Sequence, residues 1–123
     1  MADLLPFPAT LARTLAASVR DDVRLDPLPS LSIVSLRARG EACARAAEAL
    51  GLAALPAANT TRATRHGDCL WVRPDEWWVV GEAASREATL GALQVAVAEG
   101  FGAAIDLSAS RVALELSGAR ARD

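Results

Sequence analysis

Leu70-Trp71-Val72-Arg73-Pro74-Asp75-Glu76-Trp77-Trp78-Val79-Val80-Gly81 holds all three tryptophans of a chain with two phenylalanines and no tyrosine. β-Branched and aromatic residues flank Pro74-Asp75-Glu76 and favour extended chain, while the fixed φ of Pro74 suits the first corner of a type I turn. The stretch reads as a hairpin of two short strands. Alternation along the second strand puts Trp77 and Val79 on one face and Trp78 and Val80 on the other, so the adjacent indoles cannot share a single-sided core. Core packing is the favoured role for Trp71 and Trp77. For Trp78 an interface role stands level with it, because tryptophan is enriched at protein interfaces.

Outward from this hairpin, Leu31 to Leu36 reads as a strand fenced by Pro27 and Pro29, with an earlier strand signal at Val23 to Leu25. Glu41 to Leu50 reads as a helix with a small-residue face of Ala42, Ala46, Ala49 and Leu50, a Glu41/Arg45 pair at i,i+4, and Gly51 as its stop. Ala53 to Asp68 reads as a long loop. After the hairpin, Ser85 is placed to cap a second helix running to about Glu99, with Leu90, Leu93, Ala96 and Val97 inward. Ala103 to Leu107 and Arg111 to Leu116 give two further strand signals, and Ser117 to Asp123 reads as the first turn of a third helix.

The resulting β-α-β-β-α-β order is the split βαβ, ferredoxin-like arrangement, an α+β fold in which two helices cover one face of an antiparallel sheet. Residues 1 to 22 form an Ala- and Leu-rich leader, and residues 23 to 123 are expected to form one α+β domain. In the leader, Leu4, Leu5 and Phe7 lie next to prolines that prevent regular strand pairing. They are expected to dock on a partner and to be mobile without one.

The composition excludes several functions. Net charge is −2, and the thirteen basic residues, all arginine, are scattered without a run that could follow a phosphate backbone, so no nucleic-acid role is expected. Apolar stretches are broken by charge before membrane-spanning length, and the N-terminus lacks the basic start of a secretory signal; a cytoplasmic protein is the expectation. Cys43 and Cys69 are far apart in apolar contexts and read as reduced core residues.

Chemical constellations are sparse. His66 is the only histidine and reads as a loop residue, since base catalysis needs a placed partner. Asp75 and Glu76 are adjacent carboxylates at a hairpin corner and read as solvated turn residues. Asp106, Ser108 and Ser110 read as a backbone-bonding turn. Dinucleotide, phosphate-loop and paired-cysteine motifs are absent, so no catalytic residue and no cofactor or metal ligand is assigned to the chain.

Three segments carry a family resemblance. LWVRPDEWWVVG at 70–81 resembles the W-x-x-P-D-E-W segment of the gamma subunit of heterotetrameric sarcosine oxidase. The run from Ile105 to Asp123 is similar to that family's D-[VL]-S-x-[SG]-R strand and the S-G-x-x-A-R-D stretch that follows it. Leu50-Gly51-Leu52 through Pro56 and Asn59-Thr60 resembles its L-G-L-x-L-P-x-x-N-T loop, with one extra residue before the proline.

The resemblance implies part of the folate-binding fold of the glycine-cleavage T-protein, incomplete at its C-terminal end because family members continue further. It implies an accessory, non-catalytic subunit of an alpha-beta-gamma-delta complex that oxidatively demethylates sarcosine to glycine in one-carbon metabolism. FAD, FMN, NAD and zinc are then implied in the partner subunits, and the alpha subunit is the implied neighbour. The alternative is a folate-binding one-carbon domain of the T-protein type. For that role Trp71, Arg73 and Trp77 are the candidate residues, because folate's glutamyl tail suits an arginine and its pterin suits an aromatic ring.

Overall fold

The computed structural model describes residues 22–28 and 31–123. Its elements are β1 (Arg24–Pro27), β2 (Leu31–Ala38), α1 (Glu41–Leu50), β3 (Thr61–Thr64), β4 (Gly67–Arg73), β5 (Glu76–Glu82), α2 (Arg86–Val97), β6 (Gly102–Asp106) and β7 (Leu114–Ser117). They belong to two compact units, one spanning residues 31–110 and the other holding the described residues 22–28 with 111–123.

The larger unit is built on a five-stranded antiparallel sheet in the order β3-β4-β5-β2-β6. Central β2 lies between β5 and β6, so the β-α-β-β-α-β order is present as the ferredoxin-like α+β arrangement, with β3 added at one edge. Val34, Leu36 and Ala38 of β2, Cys69 of β4, and Trp77 and Val79 of β5 point to the same face. There they meet Ala42, Ala46 and Leu50 of α1 and Leu93 and Val97 of α2. The alanine face of α1 lets that helix lie close on the sheet. It ends where Gly51 turns left-handed at φ 76, with Leu52 donating to Ala47 O at 2.8 Å in the manner of a Schellman motif.

The tryptophan hairpin forms as the alternation requires. Trp71 pairs with Trp77 and Leu70 with Trp78, and Pro74 and Asp75 make the turn. Trp77 and Val79 are buried, whereas Trp78 and Val80 on the other face are half-buried. The strands approach closely because two glycines face each other near the far end: a Cβ on Gly67, whose φ is +120, would lie 2.3 Å from Val80 O, and one on Gly81 would lie 2.5 Å from His66 O.

Several boundaries differ from the sequence reading. The span Ala53 to Asp68 contains β3 and the first residues of β4. The strand signal is faint there because β3, Thr-Arg-Ala-Thr, has no large apolar residue and lies at a polar edge. Helix α2 stops at Val97 rather than Glu99, and the Ser85 side chain does not cap it but donates to Glu82 O at 2.8 Å within a 3₁₀ turn.

In the smaller unit, β7 covers Leu114–Ser117 rather than 111–116, and among the described residues it pairs with β1, as Arg24↔Ser117 through Pro27↔Leu114. Residues 118–123 make turns and no third helix. Gly118 holds φ +116 and packs so tightly on Asp22 that a Cβ would lie 2.4 Å from its carbonyl oxygen, and Arg120 then donates to that same oxygen at 3.1 Å. Leu4, Leu5 and Phe7 lie outside the described residues.

Candidate functional site

The P-D-E-W turn is where charge converges. Glu76 opens β5 and is only 6% exposed, which corrects its reading as a solvated turn residue. Its Oε1 accepts from Arg73 Nε at 2.9 Å and Nη2 at 2.6 Å, and its Oε2 accepts from Trp78 Nε1 at 2.8 Å. The β2–β5 register sets Arg37 beside it, with Nε 3.8 Å from Oε1. Asp75 accepts from Arg39 Nη2 at 3.0 Å and faces Arg37 at 3.6 Å, while its carbonyl oxygen takes the Ala38 N–H at 3.2 Å. Arg37 of β2, Arg39 one residue past its end and Arg73 of β4 thus close on two neighbouring carboxylates.

Electrostatics keep both carboxylates ionised. Burial alone would push the Glu76 carboxyl up, but the hydrogen bonds from Arg73 and Trp78 and the charges of Arg73 and Arg37 outweigh it, and the net shift is down. Asp75 is lowered chiefly by its hydrogen bond from Arg39, against a smaller opposing effect of burial. Neither group carries a proton to give near neutral pH, and both are engaged by guanidinium or indole donors. What the cluster can do is fasten the hairpin end to β2 and fix the Trp78 ring by its N–H on the sheet face opposite α1 and α2. By register that face also carries Leu70, Val80, Ile33, Ser35 and Ile105.

Trp77 donates Nε1 to Pro56 O at 2.9 Å, anchoring the α1–β3 loop to the core, and Trp71 is half-buried against the same core. Of the three residues named for folate, therefore, Trp77 is closed off from solvent and the Arg73 guanidinium lies on Glu76. His66 occupies the β3–β4 turn, where its backbone N–H donates to Thr64 Oγ1 at 3.0 Å.

Asp106 Oδ1 accepts the Ser108 N–H at 2.9 Å; its pKa is lowered by hydrogen bonding to the Ser108 side chain first and backbone second, with a smaller contribution from the charge of Arg86. Ser108 Oγ accepts the Ile33 N–H at 2.9 Å, and Ser110 Oγ donates to Leu107 O at 2.8 Å. This triad locks a turn. Burial pushes the Cys69 thiol up to about 12, the behaviour of an inert core cysteine. Among the described residues no group of three potential metal ligands occurs, and no helix is long and apolar enough to cross a membrane.

Sequence reasoning missed the partners of this cluster. Arg37 near the end of β2 and Arg39 just past it stand at i,i+2 spacing, a visible signal, but their carboxylates lie 36 or more positions away and only the strand register unites them. Arg45 was read as the partner of Glu41, 3.8 Å away. Its stronger contacts are to the Ala96 carbonyl at 2.9 Å and the Glu99 carbonyl, so it closes the C-terminal end of α2 from α1. It also lines a cleft of about 380 Å³ with Arg39, Gly40, Glu41, Gly100 and Phe101.

Residues 37–123 match the model of the sarcosine oxidase, gamma subunit family. No curated protein matches the chain. Among solved structures it is similar to a chain of the heterotetrameric sarcosine oxidase from Corynebacterium sp. U-96 in complex with pyrrole 2-carboxylate. That match has 31% identity and a TM-score of 0.75, and it covers 90% of this chain but only 59% of the other. With a family match over well more than half its length, the chain belongs to the sarcosine oxidase gamma subunit family.

Proposed function

We propose that the chain is a non-catalytic accessory subunit of a cytoplasmic sarcosine oxidase complex, in which it stabilises or positions the larger subunits during the oxidative demethylation of sarcosine to glycine. The observation that carries the reading is the closed cluster at the P-D-E-W turn. Glu76 and Asp75 are engaged by Arg73, Arg37, Arg39 and the Trp78 N–H, an arrangement that holds a surface in shape and offers no proton carrier for chemistry. Family membership supports the assignment to a multi-subunit oxidase. In this reading FAD, FMN, NAD and zinc are held by partner subunits, and the alpha subunit takes the contact centred on Trp78.

The test is co-expression with the alpha, beta and delta subunits. The chain should co-elute with them at one copy per assembly, and Trp78→Ala should weaken that association more than it lowers the chain's own melting temperature. Elution of the chain apart from a fully formed oxidase would refute the assignment. Folate titrated onto the purified chain should leave tryptophan fluorescence unchanged, and saturable quenching would favour the folate-binding alternative instead.

A further inference from the structure

The sheet face that carries Trp78 has opposite charge at its two ends. At the P-D-E-W turn three arginines face two carboxylates, so one positive charge is left over. Arg37 supplies it. Arg73 and Arg39 donate to carboxylate oxygens at 2.6 and 3.0 Å, whereas Arg37 stands 3.6 Å from Asp75 and 3.8 Å from Glu76. Among the described residues the Arg37 side chain donates no hydrogen bond, and it is 47% exposed. A guanidinium presents its donors as a fixed fork, which a carboxylate fits with two parallel bonds. The β2–β5 register sets Arg37 opposite Glu76, diagonal to Trp78 on the same face.

At the far end of the same strands the sign reverses. Glu82 follows Trp78 and Val80 in the alternation of β5, and Asp68 pairs with Val80 beside it. Both carboxylates are exposed, and neither joins an ion pair among the described residues. From Glu76 to Glu82 the strand rises about 20 Å. Trp78, Val80, Leu70 and Ile33 make an apolar middle between the two charged ends.

We infer that this face takes its partner in one orientation, with an Asp or Glu of the alpha subunit on Arg37, a Lys or Arg of the same subunit over Asp68 and Glu82, and an apolar patch between them on Trp78. The inference rests on the proposal that the alpha subunit contacts Trp78, and it adds the chemistry which that surface must present. A partner turned end for end would oppose like charges, so the two ends select the orientation. Because Arg37 stays half in water, the charges act mainly on encounter and alignment, and the indole acts on residence time.

Association of the purified chain with an alpha-beta-delta assembly, followed by interferometry at low and high salt, tests this. The wild-type association rate should fall with salt. Arg37→Met, and separately the double variant Asp68→Asn with Glu82→Gln, should each lower the low-salt rate about tenfold and flatten its salt dependence, leaving the circular dichroism spectrum unchanged. Arg37→Lys, which keeps the charge, should retain the salt dependence. Trp78→Ala should raise the dissociation rate instead. One charge variant makes the chain more negative and the other more positive, so a loss in both cannot come from net charge. Opposite effects of the two would overturn the inference, as would charge variants that associate like wild type while Trp78→Ala dissociates faster; that last result leaves the Trp78 contact standing. Wild-type behaviour of every variant would overturn the contact as well.

Discussion

The Trp78 indole N–H donates to Glu76 Oε2 at 2.8 Å, joining two residues on the same face of one strand two positions apart. The other carboxylate oxygen is held by Arg73 from the facing strand. A single buried carboxylate therefore sets both the end of the hairpin and the orientation of the large half-exposed ring beside it.

Replacing Glu76 by Gln keeps the shape and removes the charge. The Arg73 and Trp78 donors then face a neutral amide, and the variant should lose about 1 to 3 kcal/mol of unfolding free energy by urea titration. The half-exposed Arg73 can recover some of its interaction from water, which places the loss below that of a fully buried pair.

The same pair sets a pH dependence. The folded-state pKa values of Glu76 and Asp75 lie below their ordinary 4.5 and 3.8. Each contributes stability that is fully present above its unfolded-state value and lost as pH falls through the depressed folded value. Urea midpoints should decline on acidification through and below the ordinary carboxylate range, and more steeply in wild type than in Glu76→Gln. Parallel curves would show that Glu76 does not carry this pH dependence.

The two adjacent indoles should behave differently. Trp77→Ala opens a cavity in the core and orphans the Pro56 carbonyl, and is expected to cost about 3 to 5 kcal/mol. Trp78→Ala should cost less, since its ring is only half-buried. Equal losses measured by denaturant titration would contradict the division of faces.

Much of this was legible in the sequence, for physical reasons that differ by residue. The strict alternation around Trp77 and Trp78 fixed their opposite faces because strand periodicity is local, and the alanine stripe with Gly51 marked α1 and its end in the same way. Strand β3 was hidden because an edge strand with one solvated face needs no large apolar residue. The turns after Ser117 were hidden because a Ser-Gly pair suits a helix start until a tertiary contact, here Gly118 against Asp22, imposes another conformation. The site was read only in part. Glu76 looked like a turn residue because its burial and its second arginine, Arg37, come from the β2–β5 register, which no local pattern encodes, although its closer partner Arg73 is only three positions away.

Arg45 gives an independent check on the packing of the two helices. Arg45→Met retains the aliphatic stem but no longer caps the Ala96 and Glu99 carbonyls. The expected loss is about 1 to 2 kcal/mol, with hydrogen exchange accelerated in the last turn of α2 and unchanged in β4 and β5. Uniform acceleration across the sheet would mean that the contact is part of the global core rather than a local cap.

The accessory-subunit account is tested most directly by sarcosine-dependent peroxide formation, measured for the chain alone and for an alpha-beta-delta assembly with and without it. The chain alone should form none, and its addition should lengthen the thermal half-life of the assembly's activity. Peroxide from the chain alone, or an assembly whose activity and half-life are indifferent to it, would contradict the account.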